Sequence, residues 1–108
     1  MSHRQNPILL ENASAPTGII QYYNTSGFLN SVRAQLDGTA TAAVIEIYVS
    51  NHNFGKGTKI ATFNLTSASP SDGFSLPKED NGWFFVRAEV VSVTGGSVKI
   101  VSACVGGV

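Results

Sequence analysis

Apolar and polar residues alternate along most of this chain with a period of two, the spacing of a strand with one face buried and the other in water. Residues 83–93 (WFFVRAEVVSV) show the pattern best: Phe84, Val86, Ala88 and Val90 fall on one parity, Arg87 and Glu89 on the other. Gly95-Gly96 follows, and SVKIVSACV alternates again. The two runs predict an antiparallel hairpin with glycines in its turn. A strand is predicted over 28–36, with Phe28, Asn30, Val32, Ala34 and Leu36 on one parity and Arg33 and Gln35 on the other. Another is predicted over 42–49, where Ile45, Ile47 and Val49 oppose Glu46 and Tyr48, and another over 58–65, where Ile60 and Thr62 oppose Ala61, Phe63 and Leu65. The run IIQYY at 19–23 is rich in β-branched and aromatic side chains, and residues 8–10 predict a short edge strand.

Between these runs lie breakers: ENASAPTG at 11–18, NTSG at 24–27, Asp37-Gly38 and SNHNFGKG at 50–57. The longest irregular segment is 66–81, which holds Pro70, Asp72, Gly73 and Pro77. Loops of that length tend to be functional or ordered by a partner. No helical periodicity interrupts the pattern. The reading is all-β, an antiparallel, jelly-roll-like β-sandwich of about seven to eight strands, preferred over a small barrel because long strands with one apolar face suit two packed sheets. Residues 1–10 are read as an N-terminal arm whose polar residues, 1–7, order on contact, and 11–108 as a single domain.

Composition narrows the partners. Charged residues make up only 13% of the 108, against a usual share of about 25%. The surface must therefore be built from Ser, Thr, Asn and Gly, and covering it with a partner desolvates few ions. Net charge is zero, with no basic run, so nucleic-acid binding would lack phosphate neutralisation and an electrostatic membrane anchor is equally unsupported. No apolar run has the length of a signal peptide or a membrane span, and synthesis in a reducing cytoplasm is expected. Cys104, the one cysteine, cannot form an internal bridge and is read as a small buried apolar residue.

The residues for familiar chemistries do not assemble in the sequence. His3 lies in the arm and His52 in a loop, without ligand pairs around them. The run Gly55-Lys56-Gly57-Thr58 lacks the spacing of a phosphate loop and leads into a strand. Asp37, Asp72, Glu79 and Asp80 fall in turns, where carboxylates are ordinarily turn formers. No catalytic residue, metal site or cofactor is predicted. Three Asn-x-Ser/Thr triplets, at Asn12, Asn24 and Asn64, read as accidents of a Ser/Thr/Asn-rich surface. Tyr22, Tyr23, Tyr48, Phe54 and Trp83 are candidates for stacking on a sugar ring, with Tyr48 expected to be half covered.

Taken in order, Tyr48-Val49-Ser50-Asn51, the strand 60–65 (IATFNL), the loop Ser71-Asp72-Gly73-Phe74, the strand 83–90 (WFFVRAEV) and a threonine-glycine turn before the last strand resemble a family of small tailed-phage virion proteins. The resemblance covers residues 42–101. Its members are β-sandwich proteins that decorate capsids as cement or stapling subunits, with similar modules in tail and fibre proteins. It implies a mechanical function: a protein made in the host cytoplasm that binds the outer capsid lattice and bridges capsomers, many weak contacts acting together. The partner would be the major capsid protein; the alternative is a carbohydrate-binding module, with a glycan as partner, or a tail or fibre accessory protein. Contacts are then expected from the arm, through Ile8, Leu9 and Leu10, and from the long loop, through Phe74 and Leu76. Self-association as a dimer or trimer is expected if the strand holding Val101 lies at a sheet edge, since Lys99 is its only charge.

Overall fold

The computed structural model of the protein describes residues 4–19 and 21–106. Among them nine strands and one short 3-10 turn follow in order: β1 (Arg4–Gln5), β2 (Ile8–Ala13), β3 (Tyr23–Asn24), β4 (Leu29–Leu36), β5 (Ala42–Ser50), β6 (Thr58–Thr66), β7 (Ser71–Ser75), the turn Lys78–Asp80, β8 (Phe85–Thr94) and β9 (Val98–Gly106). The first sheet runs β1-β9-β4-β7, with β2 also paired to β9; the second runs β3-β8-β5-β6. The pairings nest: β2 with β9, β3 with β8, β4 with β7 and β5 with β6, all antiparallel. A chain folded into one long hairpin and then rolled up gives this nesting, which is the jelly-roll form of the sandwich. The expected fold class is therefore the one found. The shortest dimension of the molecule is 19 Å, the thickness of two sheets about 10 Å apart plus their outer side chains.

The alternation places the core. Val32, Ala34 and Leu36 of β4 and Val98, Val101, Ala103 and Val105 of β9 meet Ile45, Ile47 and Val49 of β5, Val86, Ala88 and Val90 of β8 and Phe63 and Leu65 of β6 in one cluster. Each valine, leucine, isoleucine or phenylalanine among them contributes about 1.5–3 kcal/mol by leaving water, which makes this layer the main stabilising term.

Strict parity fails where a strand carries an extra residue. In β4 the register slips between Leu29 and Ser31, so Asn30 bulges and donates through its side chain to Gly106 O at 2.7 Å. The slip turns Leu29 inward, to 0% exposure, and leaves Phe28 outside. In β8 a second slip at Val91 exposes that residue and turns Val93 toward the core.

Several expected boundaries move. The segment 66–81 is not wholly irregular: β7 pairs with β4 from Ser31↔Ser75 to Gln35↔Ser71. Its Ser-Asp-Gly composition has little strand propensity, and it is strand because β4 offers it hydrogen-bond partners. The strand at 8–10 continues to Ala13 along β9, so the break begins only after it. Of the run at 19–23, only Tyr23 pairs as strand, while Ile20 lies outside the described residues. Of the segment read as an arm, residues 1–3 lie outside the described residues, and the rest runs along β9: Arg4 pairs with Gly106 and Gln5 with Val105. Consequently β9 is not an edge but an interior strand, flanked by β4 and by β1 and β2.

The turns at one end of the sandwich are tied by Asp37. Its carboxylate accepts the hydroxyl of Ser97 at 2.8 Å, the backbone N–H of Ala40 at 2.7 Å and those of Thr39 and Ser97 at 3.0 Å. These bonds, Ser97 foremost, hold the carboxyl far below the usual carboxylate range. Gly96 is required in this knot, because a Cβ there would stand 2.6 Å from both Asp37 Oδ1 and Ala40 N.

Candidate docking surface

At the other end, three connections come together: 25–28 before β4, 51–57 between β5 and β6, and 76–84 before β8. What organises them is an arginine on the outward face of the second sheet. Register sets Arg87 on β8 opposite Tyr48 on β5, and Glu89 opposite Glu46. Parity alone assigns this face to solvent; instead Arg87 is 1% exposed and Tyr48 5%. The cause is tertiary. The approach to β3 lays Tyr22 over the strand pair, and the loop 51–57 folds down beside it.

The guanidinium is held on three sides. Its carbon sits 4.1 Å from the centre of the Tyr48 ring and 5.7 Å from that of Tyr22. Nη1 donates to Glu89 Oε1 at 3.1 Å and Nη2 to the Lys56 carbonyl at 2.8 Å. Stacking and a fork of donors together are what arginine supplies and lysine does not. Gly57 completes the lid: its φ is +80°, and a Cβ there would collide with the Tyr22 hydroxyl. The two facing carboxylates each have their own cation, since Glu46 takes a hydrogen bond from Tyr48 Oη at 2.7 Å and an ion pair from Lys59 at 3.2 Å. The Tyr48 hydrogen bond, then Lys59, lowers the Glu46 carboxyl; the same bond, with burial, raises the Tyr48 phenol.

Because Arg87 grips its backbone, loop 51–57 presents its tip from a fixed base. There Phe54 is 71% exposed, with the His52 ring tilted against it at 5.3 Å. The neighbouring connections are also tied down. Buried Thr25 donates its hydroxyl to the Trp83 carbonyl and its N–H to Phe84 O at 2.8 Å. Leu29 N donates to Asn81 O at 3.0 Å. Phe84 packs over Gly27 yet stays half exposed, as does Phe28. A shallow hollow of about 230 Å³ lies between Asn51, Glu79, Asp80, Gly82 and Trp83. This end of the molecule thus shows Phe28, Phe54 and Phe84 to solvent on hydrogen-bonded turns.

The six residues expected to meet a partner are scattered by the structure. Ile8 is 52% exposed on β2. Leu9 and Leu10 are partly buried against the core, and so are Phe74 and Leu76, which tuck back rather than project. Val101 has 0% exposure, because β9 is interior and its side chain points between the sheets; it is corrected to a core residue. Among the sugar-stacking candidates, Tyr22 and Tyr48 are buried, Tyr23 and Trp83 partly so, and Phe54 is open. Cys104 is half-buried on the outward parity of β9, not in the core. Strict alternation places Phe28 and Phe84 on the inward parity. The signal against that is the turn glycine before Phe28 and the Asn-Gly pair before Trp83, which mark strand ends where alternation has no authority.

No protein-family model matches the chain, and no curated protein matches it. Among solved structures, it is similar to an SPBc2 prophage-derived protein, YomS. The TM-score is 0.63 at 20% identity, over 99% of this chain and 96% of that one. The likeness is one of fold: the two chains share a jelly-roll sandwich from end to end. Among the described residues no helix is long and apolar enough to cross a membrane, and no three metal-ligating side chains converge.

Proposed function

We propose that this chain is a phage virion structural protein, and specifically a decoration or cement subunit that binds the outer capsid lattice and bridges capsomers. The observation that carries the reading is the whole-chain likeness in fold to a prophage-derived protein. It agrees with the strand and loop motifs of residues 42–101. The surface also suits a mechanical rather than a catalytic role. Phe28, Phe54 and Phe84 offer large apolar area on turns already fixed by hydrogen bonds, so little ordering entropy opposes docking. The few charges leave little to desolvate, and repetition over a lattice turns weak contacts into firm attachment. The partner in this reading is the major capsid protein, and the site of action is the virion surface after synthesis in the host cytoplasm. The glycan alternative keeps Phe54 as the fully open ring among its five candidates.

The test is particle-based. Particles lacking the protein are expected to lose DNA at lower temperature than complete ones, and added protein is expected to restore their resistance. Absence of the protein from purified virions, with unchanged heat resistance, would refute the reading.

A further inference from the structure

A sandwich exposes four sheet edges, and unpaired edges invite another strand. Three of them are short or interrupted here. β3 pairs over two residues, and β7 has five, with Asp72 and Gly73 in its middle. β1 and β2 are separated at Asn6-Pro7, and β2 carries a register slip between Ile8 and Leu10 and a positive φ at Asn12. β6 is different. It is nine residues long (TKIATFNLT), its register slip at Ile60 leaves Ala61 to Thr66 in unbroken register with β5, and its one charge, Lys59, is already engaged by Glu46 of its own subunit.

The direction of its free backbone groups follows from the turn that ends it. Thr66 N donates to Ser69 O, away from β5, whereas Ser67 N donates to Thr41 O, toward it. Antiparallel pairing alternates these directions residue by residue. Leu65 and Phe63 therefore bond to β5, and the N–H and C=O groups of Thr62 and Asn64 face outward. Both residues are exposed.

We infer that β6 is the self-association edge of this protein, pairing antiparallel with β6 of a second copy about a two-fold axis at Phe63. In that register Thr62 of each copy faces Asn64 of the other, giving four backbone hydrogen bonds. Lys59 lies four residues from the axis in each copy, beyond the slip at Ile60, so the two cations stand apart. A parallel or head-to-tail partner has no such match, because an isologous contact alone sets the same edge against itself. The two four-stranded sheets join into one of eight strands. Such a contact is smaller than the about 1,000 Å² of a stable interface, so the dimer is weak in solution and strengthened wherever copies are held side by side. The inference stands whether or not the particle is a capsid.

Sedimentation equilibrium on the wild-type chain is expected to show concentration-dependent dimerisation. Thr62→Lys combined with Asn64→Lys is expected to give a single-subunit mass at every concentration with an unchanged circular-dichroism spectrum. In a Cys104→Ser background, oxidising a mixture of Thr62→Cys and Asn64→Cys chains is expected to cross-link one to the other, while neither cross-links with itself. A wild-type chain that stays single at all concentrations, a double-lysine variant that still dimerises, or self-linking of Thr62→Cys would each overturn the assignment.

Discussion

The guanidinium carbon of Arg87 lies 4.1 Å above the centre of the Tyr48 ring, fully buried on the side of a sheet that the sequence pattern assigns to water. This pair joins the outer face of the second sheet to loop 51–57, through the Lys56 carbonyl, and so to the exposed Phe54. Its removal should be felt in both stability and docking.

Arg87→Ala is expected to lower the unfolding free energy by about 2–4 kcal/mol, because it leaves Glu89 and the Lys56 carbonyl without their buried partner. Arg87→Lys should recover little of this, since an ammonium cannot stack flat and fork to two acceptors at once. Urea unfolding followed by tryptophan fluorescence measures both. A loss below about 0.5 kcal/mol, the range of ordinary surface changes, would show that the cluster does not hold the loop.

Gly57→Ala is expected to cost about 1–3 kcal/mol, through its positive φ and the collision with the Tyr22 hydroxyl. Gly55→Ala shares a positive φ, +79°, but meets open space, so it isolates the backbone share of the cost. Thermal unfolding of the two variants side by side should rank Gly57→Ala as the less stable.

The Asp37 knot predicts a pH dependence. Its carboxyl is depressed in the folded chain, so its contribution is fully present above the unfolded value of about 3.9 and is lost as pH falls toward the folded one. Asp37→Asn should therefore be less stable than wild type at neutral pH, since its amide cannot accept from Ser97, Ala40 and Thr39 together. The gap should narrow as pH drops below about 4. Melting curves of both proteins between neutral and strongly acidic pH test the sign; a gap that widens on acidification contradicts it.

Phe54→Ala should leave stability within about 0.5 kcal/mol, because the ring is 71% exposed and its ring neighbour, His52, is itself exposed. Attachment to particles should weaken by at least about tenfold if Phe54 is an anchor, the usual consequence of truncating a central aromatic contact. Thermal unfolding of the variant reads the first quantity, and its co-sedimentation with particles lacking the wild-type protein reads the second. Leu76→Ala, partly buried on the core, serves as the converse: a stability loss without a direct loss of contact.

Most of the sandwich was legible along the chain, and the reason is physical. A half-buried strand must alternate, so Ile45, Ile47 and Val49 declared their face, as did Val86, Ala88 and Val90. Edges were not legible, because edge status depends on what the rest of the chain brings alongside. β9 reads as a lightly charged strand free to pair, and it is interior because β2 and β4 both reach it. The exposed phenylalanines were hidden for related reasons. The bulge at Asn30 shifts parity and leaves Phe28 outside, a slip that leaves no mark in hydrophobicity, and Phe84 precedes the first paired residue of β8, where alternation has no authority.

Residue order by itself determined the class of element, the turns and the apolar layer, because these follow from the two-residue repeat of a strand and from glycine, proline and asparagine at its ends. Only the tertiary structure decided which strands became edges, that Arg87 left water for the rings of Tyr48 and Tyr22, and that Phe28, Phe54 and Phe84 stayed in it. Those outcomes depend on contacts between segments tens of residues apart, and local sequence carries no energy term for a partner it has not yet met.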